Sequence, residues 1–158
     1  MTDKLHQMNI TYVPTEDRLL LRISTAQGDE FRIWLTRRYT GLLFNVLNKR
    51  MDKSGGAPTV AASDETRKMF QAGAMEKKYD SGDKKYPLGE QGILAFGINT
   101  GETQDGNLAL EMFPEKGQGI TINLNNALLY MFSNLLNQGV DQAGWKLMSE
   151  DTISMKVH

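Results

Sequence analysis

The sequence contains no cysteine and only two histidines in 158 residues. The first absence excludes disulfides and thiol chemistry. His6 and His158 both lie near a terminus, where order is weakest, so a histidine acid–base centre or a zinc site is not expected. No apolar run approaches the roughly 20 residues that span a bilayer. Met1-Thr2-Asp3-Lys4-Leu5 lacks an apolar signal segment, which gives the expectation of a soluble, cytoplasmic protein with no membrane partner. A net charge of −1 supplies no bulk attraction to nucleic acid. Neither a Gly-x-x-x-x-Gly-Lys phosphate loop nor a Gly-x-Ser-x-Gly elbow is present. Glu16-Asp17 and Asp29-Glu30 are adjacent carboxylates in turns, where neighbouring side chains diverge. Asp80 and Asp83 fit no calcium loop. Gly117-Gln118-Gly119 belongs to a hairpin turn, which accounts for its glycines without a ligand. The expectation is a protein that is not an enzyme, with no catalytic residues, no metal and no cofactor.

What is present is a repeat. Shifted by 89 residues, segment 19–48 falls on 108–137 without a gap. Leu19, Leu21, Gly28, Ile33, Leu35, Asn45, Leu47 and Asn48 meet identical residues, eight identities in thirty. Ile23, Phe31 and Leu43 meet other apolar residues (Met112, Ile120, Phe132). Self-similarity of this kind speaks to architecture rather than to activity.

Within each copy the apolar period is two and then changes to three and four. Met8, Ile10 and Tyr12, then Leu19, Leu21 and Ile23, then Phe31, Ile33 and Leu35 alternate with other residues between short turns, the signature of antiparallel hairpins. Thr36 can cap a helix carrying Tyr39, Leu42, Leu43, Val46 and Leu47. In the second copy Leu94, Phe96 and Ile98 form the first strand, Leu108, Leu110 and Met112 the second, and Ile120, Ile122 and Leu124 the third. Asn125 caps a helix with Leu128, Met131, Phe132, Leu135 and Leu136. Matching Ile10 to Ile98 requires one added residue in the first turn of the second copy. The reading is α+β: two β-β-β-α units, each an antiparallel three-stranded meander plus helix, related by a pseudo-two-fold within a single domain spanning 1–158. The first repeat covers about 5–51, an insert about 52–87, the second repeat about 88–145 and a tail 146–158. In the insert, 53–58 is a loop by composition and Ser63 can cap a helix over about 64–79. Ile153, Met155 and Val157 offer a further strand in the tail. One helix per three-stranded sheet is expected to cover one face, the Leu19/Leu21/Ile23 and Phe31/Ile33/Leu35 face in the first.

On the opposite face the copies have diverged. The first presents Arg18, Leu20, Arg22, Arg32 and Trp34, with Arg37 and Arg38 at the helix start. The second presents Asn107, Ala109, Glu111, Thr121 and Asn123, then Asn126 and Ala127. Charge divides likewise: residues 1–52 and 53–85 each carry +2, and residues 86–158 carry −5. Arginines around a tryptophan are the ingredients of a platform for single-stranded DNA or RNA, since guanidinium pairs with phosphate and indole stacks on bases. Arg67, Lys68, Lys77, Lys78, Lys84 and Lys85 could add phosphate contacts. The same residues have plainer explanations. Trp34 and Leu20 can be apolar surface covered by the other copy, the middle helix or a second protomer; edge arginines blunt a sheet edge; Arg37-Arg38 can be a solvated helix start. Two expectations follow. One is a non-enzymatic binding or adaptor protein using this face for a protein partner or for self-association as a homo-oligomer. The other is single-stranded nucleic-acid binding through its arginines and Trp34.

The segments Glu30-Phe31-Arg32-Ile33-Trp34-Leu35-Thr36-Arg37-Arg38-Tyr39 and Gly119-Ile120-Thr121-Ile122-Asn123-Leu124 resemble a family of small bacterial proteins, a resemblance that implies no particular activity. In plan, the duplicated strands-then-helix unit is similar to the whirly and PUR-type single-strand-binding folds. Those have four strands per unit where three are legible here, and no binding residue carries over.

Overall fold

A computed structural model describes residues 5–73 and 78–147. Lys77, Met75 and the candidate tail strand at 153–157 lie outside the described residues. The fold is α+β, with seven strands in two sheets and four helices among the described residues.

Strands β1 (Leu5–Val13), β2 (Arg18–Thr25) and β3 (Glu30–Leu35) form an antiparallel meander. Alternation decides which face is buried. Leu19, Leu21, Ile23, Ile33 and Leu35 have no exposed surface, and each such side chain contributes about 1.5–3 kcal/mol. Strands β5 (Gly97–Glu102), β6 (Leu108–Phe113) and β7 (Ile120–Leu124) form a second meander. The 89-residue offset carries the pairing register as well as the residue identities: Leu19 faces Leu35 as Leu108 faces Leu124, and Ile23 faces Phe31 as Met112 faces Ile120.

Helix α1 (Arg37–Lys53) follows β3, and α4 (Asn126–Ala143) follows β7. Thr36 and Asn125 each accept a hydrogen bond from a backbone N–H three residues on, at 3.1 and 2.9 Å, which satisfies one of the free donors of the first turn. Each cap is also the whole link between strand and helix.

Those one-residue links set which sheet each helix covers: the inward face of the first sheet does receive a helix, but it is the one that follows the other sheet. Helix α4 lies on the first sheet, where a Cβ at Gly139 would stand 2.9 Å from Ile10 Cγ2 and 3.1 Å from Leu19 Cδ1. Helix α1 lies against the second: the Tyr39 hydroxyl donates to the Gly97 carbonyl at 2.9 Å, and Arg50 bonds both the Glu102 carboxylate, at 3.1 Å, and the Gly106 carbonyl. A single linking residue leaves no slack to fold a helix flat over the sheet it has just left, so its apolar stripe meets the neighbouring sheet.

Three expectations are corrected. The strand through Leu94, Phe96 and Ile98 is split in two. Ile93–Leu94 (β4) pairs parallel with Ile33–Trp34 and adds a fourth strand to the first sheet. The chain then crosses over, with Ala95 N bonding the Trp34 carbonyl and Phe96 N the Phe113 carbonyl. Ala95 is buried there, while Leu94 and Phe96 are exposed, so the apolar alternation did not mark the inward side. The first turn of the second copy is one residue shorter rather than longer: Ile10 faces Leu21 and Thr100 faces Leu110, because a tight turn closes at Thr103–Gly106, with Gly106 at φ +81°. In the insert, Ala57–Ala61 is a short helix (α2) opening on Pro58, and the helix capped by Ser63 is described over Asp64–Gln71 (α3) rather than to 79. Both pack on α4, with the Phe70 ring edge-on to Tyr130 at 5.8 Å.

Two glycine substitutions test the exchanged packing. Gly139→Val is expected to destabilise by about 1–3 kcal/mol through overpacking. Gly41→Ala, at a position with no atom within 4 Å, is expected to stabilise by about 0.5–1 kcal/mol through helix propensity. Urea midpoints measure both, and an unchanged midpoint for Gly139→Val would contradict α4 lying on β1 and β2.

Candidate functional site

Strand pairing brings five of the seven candidate residues onto one face. Arg22 stands directly opposite Arg32, Leu20 opposite Trp34, and Arg18 lies one step further along β2. Arg37 and Arg38 sit beyond the end of β3, on α1. The Arg37 guanidinium turns to the carbonyl of Lys146 at 3.2 Å, away from the sheet face. Arg38 is exposed and has no partner among the described residues.

This face is not open. Residues 78–92, of which only 80–85 read from composition as a polar connector, form a strap across it. At β1 the Gln7 side chain donates to the Lys78 carbonyl and accepts from Asp80 N. Over β2 the Tyr79 ring lies 4.4 Å from the Arg22 guanidinium, which also bonds Asn9. At the start of β3, Lys85 N bonds the Gly28 carbonyl and Glu30 N bonds the Lys85 carbonyl. Along β3 the Tyr86 ring lies 4.7 Å from Arg32. Arg32 donates to the Glu90 carbonyl, and the Trp34 indole donates to the Gln91 carbonyl, both at 2.9 Å. At Gly92 the chain passes so close that a Cβ would stand 2.5 Å from the Arg32 carbonyl. Trp34 is met by residues 91–95, which fall in the range read as the second repeat, while the middle helix packs on α4 instead.

Beneath the strap lies Glu30, whose side chain is 1% exposed. One carboxylate oxygen accepts from Arg32 Nε and the other from the Tyr79 hydroxyl, each at 2.7 Å. Burial, and then the bond to Glu30, raise the Tyr79 pKa above its ordinary value, so Tyr79 remains a donor through the neutral range. The charge of Arg32 is matched locally, and Arg18 has Glu16 at 3.6 Å. Arg67, Lys84 and Lys85 are likewise matched, by Asp64, Asp80 and Asp29.

What stays open is a groove of about 590 Å³ lined by Leu20, Trp34, Arg32, Glu16, Glu90 and Gln91. Its floor is apolar and two carboxylates stand at its rim. The apolar strip continues across the sheet to Leu94, which pairs with Trp34 and is 42% exposed; Phe96, where the chain has crossed to the second sheet, is 54% exposed. Sequence reading missed the strap and this end of the strip. Tyr79 and Tyr86 were the available signal, as lone aromatics in an otherwise polar stretch. A second groove, of about 530 Å³, runs between α1 and α4 past Asn48, Asn137 and Trp145. No set of three metal-ligating side chains occurs among the described residues, and no helix there is long and apolar enough to cross a membrane.

Compared with protein-family models, curated proteins and solved structures, the chain finds no match. In the first sheet the fourth strand is a two-residue parallel one donated from beyond α1.

Arg37 belongs instead to a junction at the first turn. Asp17, at φ +51°, accepts from the Tyr12 hydroxyl at 2.7 Å and the Trp145 indole at 3.3 Å, and Tyr12 and Trp145 pack edge to face. These two hydrogen bonds, with Arg37 nearby, hold the Asp17 carboxyl below its usual range. A depressed folded pKa contributes stability that is complete above the unfolded value, about 3.9, and is lost as pH falls through the folded one. In a Trp34→Phe background, Trp145 fluorescence is expected to stay flat from neutrality to about pH 4 and to change below it. Asp17→Asn is expected to remove that acid transition.

Proposed function

We propose that the protein is a non-enzymatic binding or adaptor protein that engages a protein partner, a second copy of itself included, through the outer face of its first sheet. The observation that carries this reading is the apolar surface at Leu20, Trp34 and Leu94, where the strap leaves the face open, with exposed Phe96 following at the crossover to the second sheet. An exposed apolar strip with a polar rim is the ordinary make-up of a protein interface, and a half-buried tryptophan at its centre is the usual anchor. Binding of single-stranded DNA or RNA is the second reading. It now rests on Arg38 and Lys68, which α1 and α3 expose, and on Arg18, which is half-buried and paired with Glu16. Arg22 and Arg32 are engaged by Asn9, Glu30 and two tyrosines. A phosphate chain in the groove would also meet Glu16 and Glu90.

A photo-crosslinking residue in place of Phe96 tests the two readings together in cells. A discrete protein adduct identified by mass spectrometry, its own chain included, is expected, and Leu94→Glu is expected to reduce it at least about tenfold, as loss of roughly 1.4 kcal/mol would. Nucleic-acid adducts instead, with anisotropy of labelled single strands falling steeply between about 50 and 200 mM salt, would overturn the protein reading.

A further inference from the structure

The strap is held the way a receptor holds a peptide. None of residues 78–92 is buried as a whole, and Leu88 alone among them packs partly against the core. A connector that served only to join the two halves would need no more than this. Yet it makes a continuous series of polar and ring contacts from β1 to the far end of β3.

We propose that the outer face of the first sheet is a receptor for an extended, tyrosine-bearing segment of a partner protein, and that residues 78–91 are its resident, displaceable occupant. This inference rests on the protein-binding reading above and names the partner's chemistry.

The arrangement of the arginines supports it. Arg22 and Arg32 are directly opposite each other across β2 and β3, a placement that destabilises a sheet when nothing offsets it. Tyr79 and Tyr86 lie over them, one ring to each guanidinium, as cation–π pairs. The two tyrosines are seven residues apart, and their hydroxyls are read separately. Tyr79 donates to buried Glu30 at 2.7 Å, and Tyr86 accepts from Arg32 Nη2 at 3.3 Å.

The remaining contacts go largely to backbone. Gly28 and Glu30 bond the amide and carbonyl of Lys85, and Arg32 and Trp34 bond the carbonyls of Glu90 and Gln91. Any extended chain offers those groups, so backbone contacts supply affinity and the tyrosines supply selectivity, as in strand-addition recognition. A phosphate backbone fits less well, because it would have to lie beside the buried Glu30 carboxylate. An incoming segment with tyrosines at this spacing would take over the strap's contacts one for one. The displaced strap would give up one buried side chain, that of Lys84, and no buried apolar residue.

The test uses the full chain carrying Tyr79→Ala and Tyr86→Ala as receptor, and a labelled peptide with the sequence of residues 78–92 as probe. Hydrogen exchange on the receptor should show β1–β3 protection intact and the 78–91 amides exchanging faster. Saturable peptide binding is expected, at least tenfold tighter to this variant than to wild type, whose resident strap competes. Alanine at both tyrosines of the peptide, or Arg22→Ala in the receptor, should abolish it. An opened strap with no saturable binding, or equal binding to variant and wild type, would overturn the inference. If the double variant loses β1–β3 protection, Tyr86→Ala alone serves as receptor under the same criteria. Peptide binding without a protein adduct at position 96 would uphold the receptor and overturn the wider reading. Adducts without peptide binding would do the reverse.

Discussion

Everything in this molecule follows from how little chain joins each third strand to its helix. Thr36 alone links β3 to α1, and Asn125 alone links β7 to α4. Each helix therefore reaches across and closes the other sheet, so the apolar faces of both sheets and both helices are buried together as one core. Neither half can complete its core alone. The exchange also brings the C-terminus of α4 to the first turn, where Trp145 and Asp17 meet.

The same constraint prepares the binding face. With α4 covering one side of the first sheet, the other side faces outward and must be managed. Like charges at Arg22 and Arg32 would be costly there without partners. Glu30, pinned between Arg32 and Tyr79, is what makes the arrangement possible. A buried carboxylate is tolerated only when its charge is matched and its oxygens are hydrogen-bonded, and here each oxygen has a bond of 2.7 Å. The strap thus does two things at once. It offsets the arginine pair with a tyrosine ring over each guanidinium, and it leads into β4, which closes the edge of β3 that would otherwise be open to pairing. What it leaves uncovered is apolar rather than basic, and this shifts the balance from a nucleic-acid platform toward a protein-binding surface.

Much of the fold was legible because it is local. Period-two alternation placed β1, β2, β3, β6 and β7, and capping residues placed the starts of α1, α3 and α4. The β2–β3 and β6–β7 registers share the 89-residue offset seen in the sequence. What was not legible depends on distant partners. Leu94, Phe96 and Ile98 alternate well enough to suggest one buried strand, but Trp34 and Phe113 draw neighbouring backbone atoms to different sheets and split it. The site divided in the same way. That Arg22, Arg32, Leu20 and Trp34 share a face follows from alternation. That the face is covered does not, because Tyr79 and Tyr86 lie more than fifty residues away in a stretch whose composition signals only a loop. Arg37 looked like part of the patch by adjacency, and turns out to serve the Trp145 junction.

The most direct test of this account is native-state hydrogen exchange at Glu30 and Lys85, whose amides are bonded through the docked strap. In the wild-type chain both should be protected at neutral pH. In Glu30→Ala both should lose protection while Ile10 and Leu21, deeper in the first sheet, keep theirs. If the two amides already exchange in the wild type as fast as in an unstructured chain, the strap does not cover the face and the account of the site is wrong.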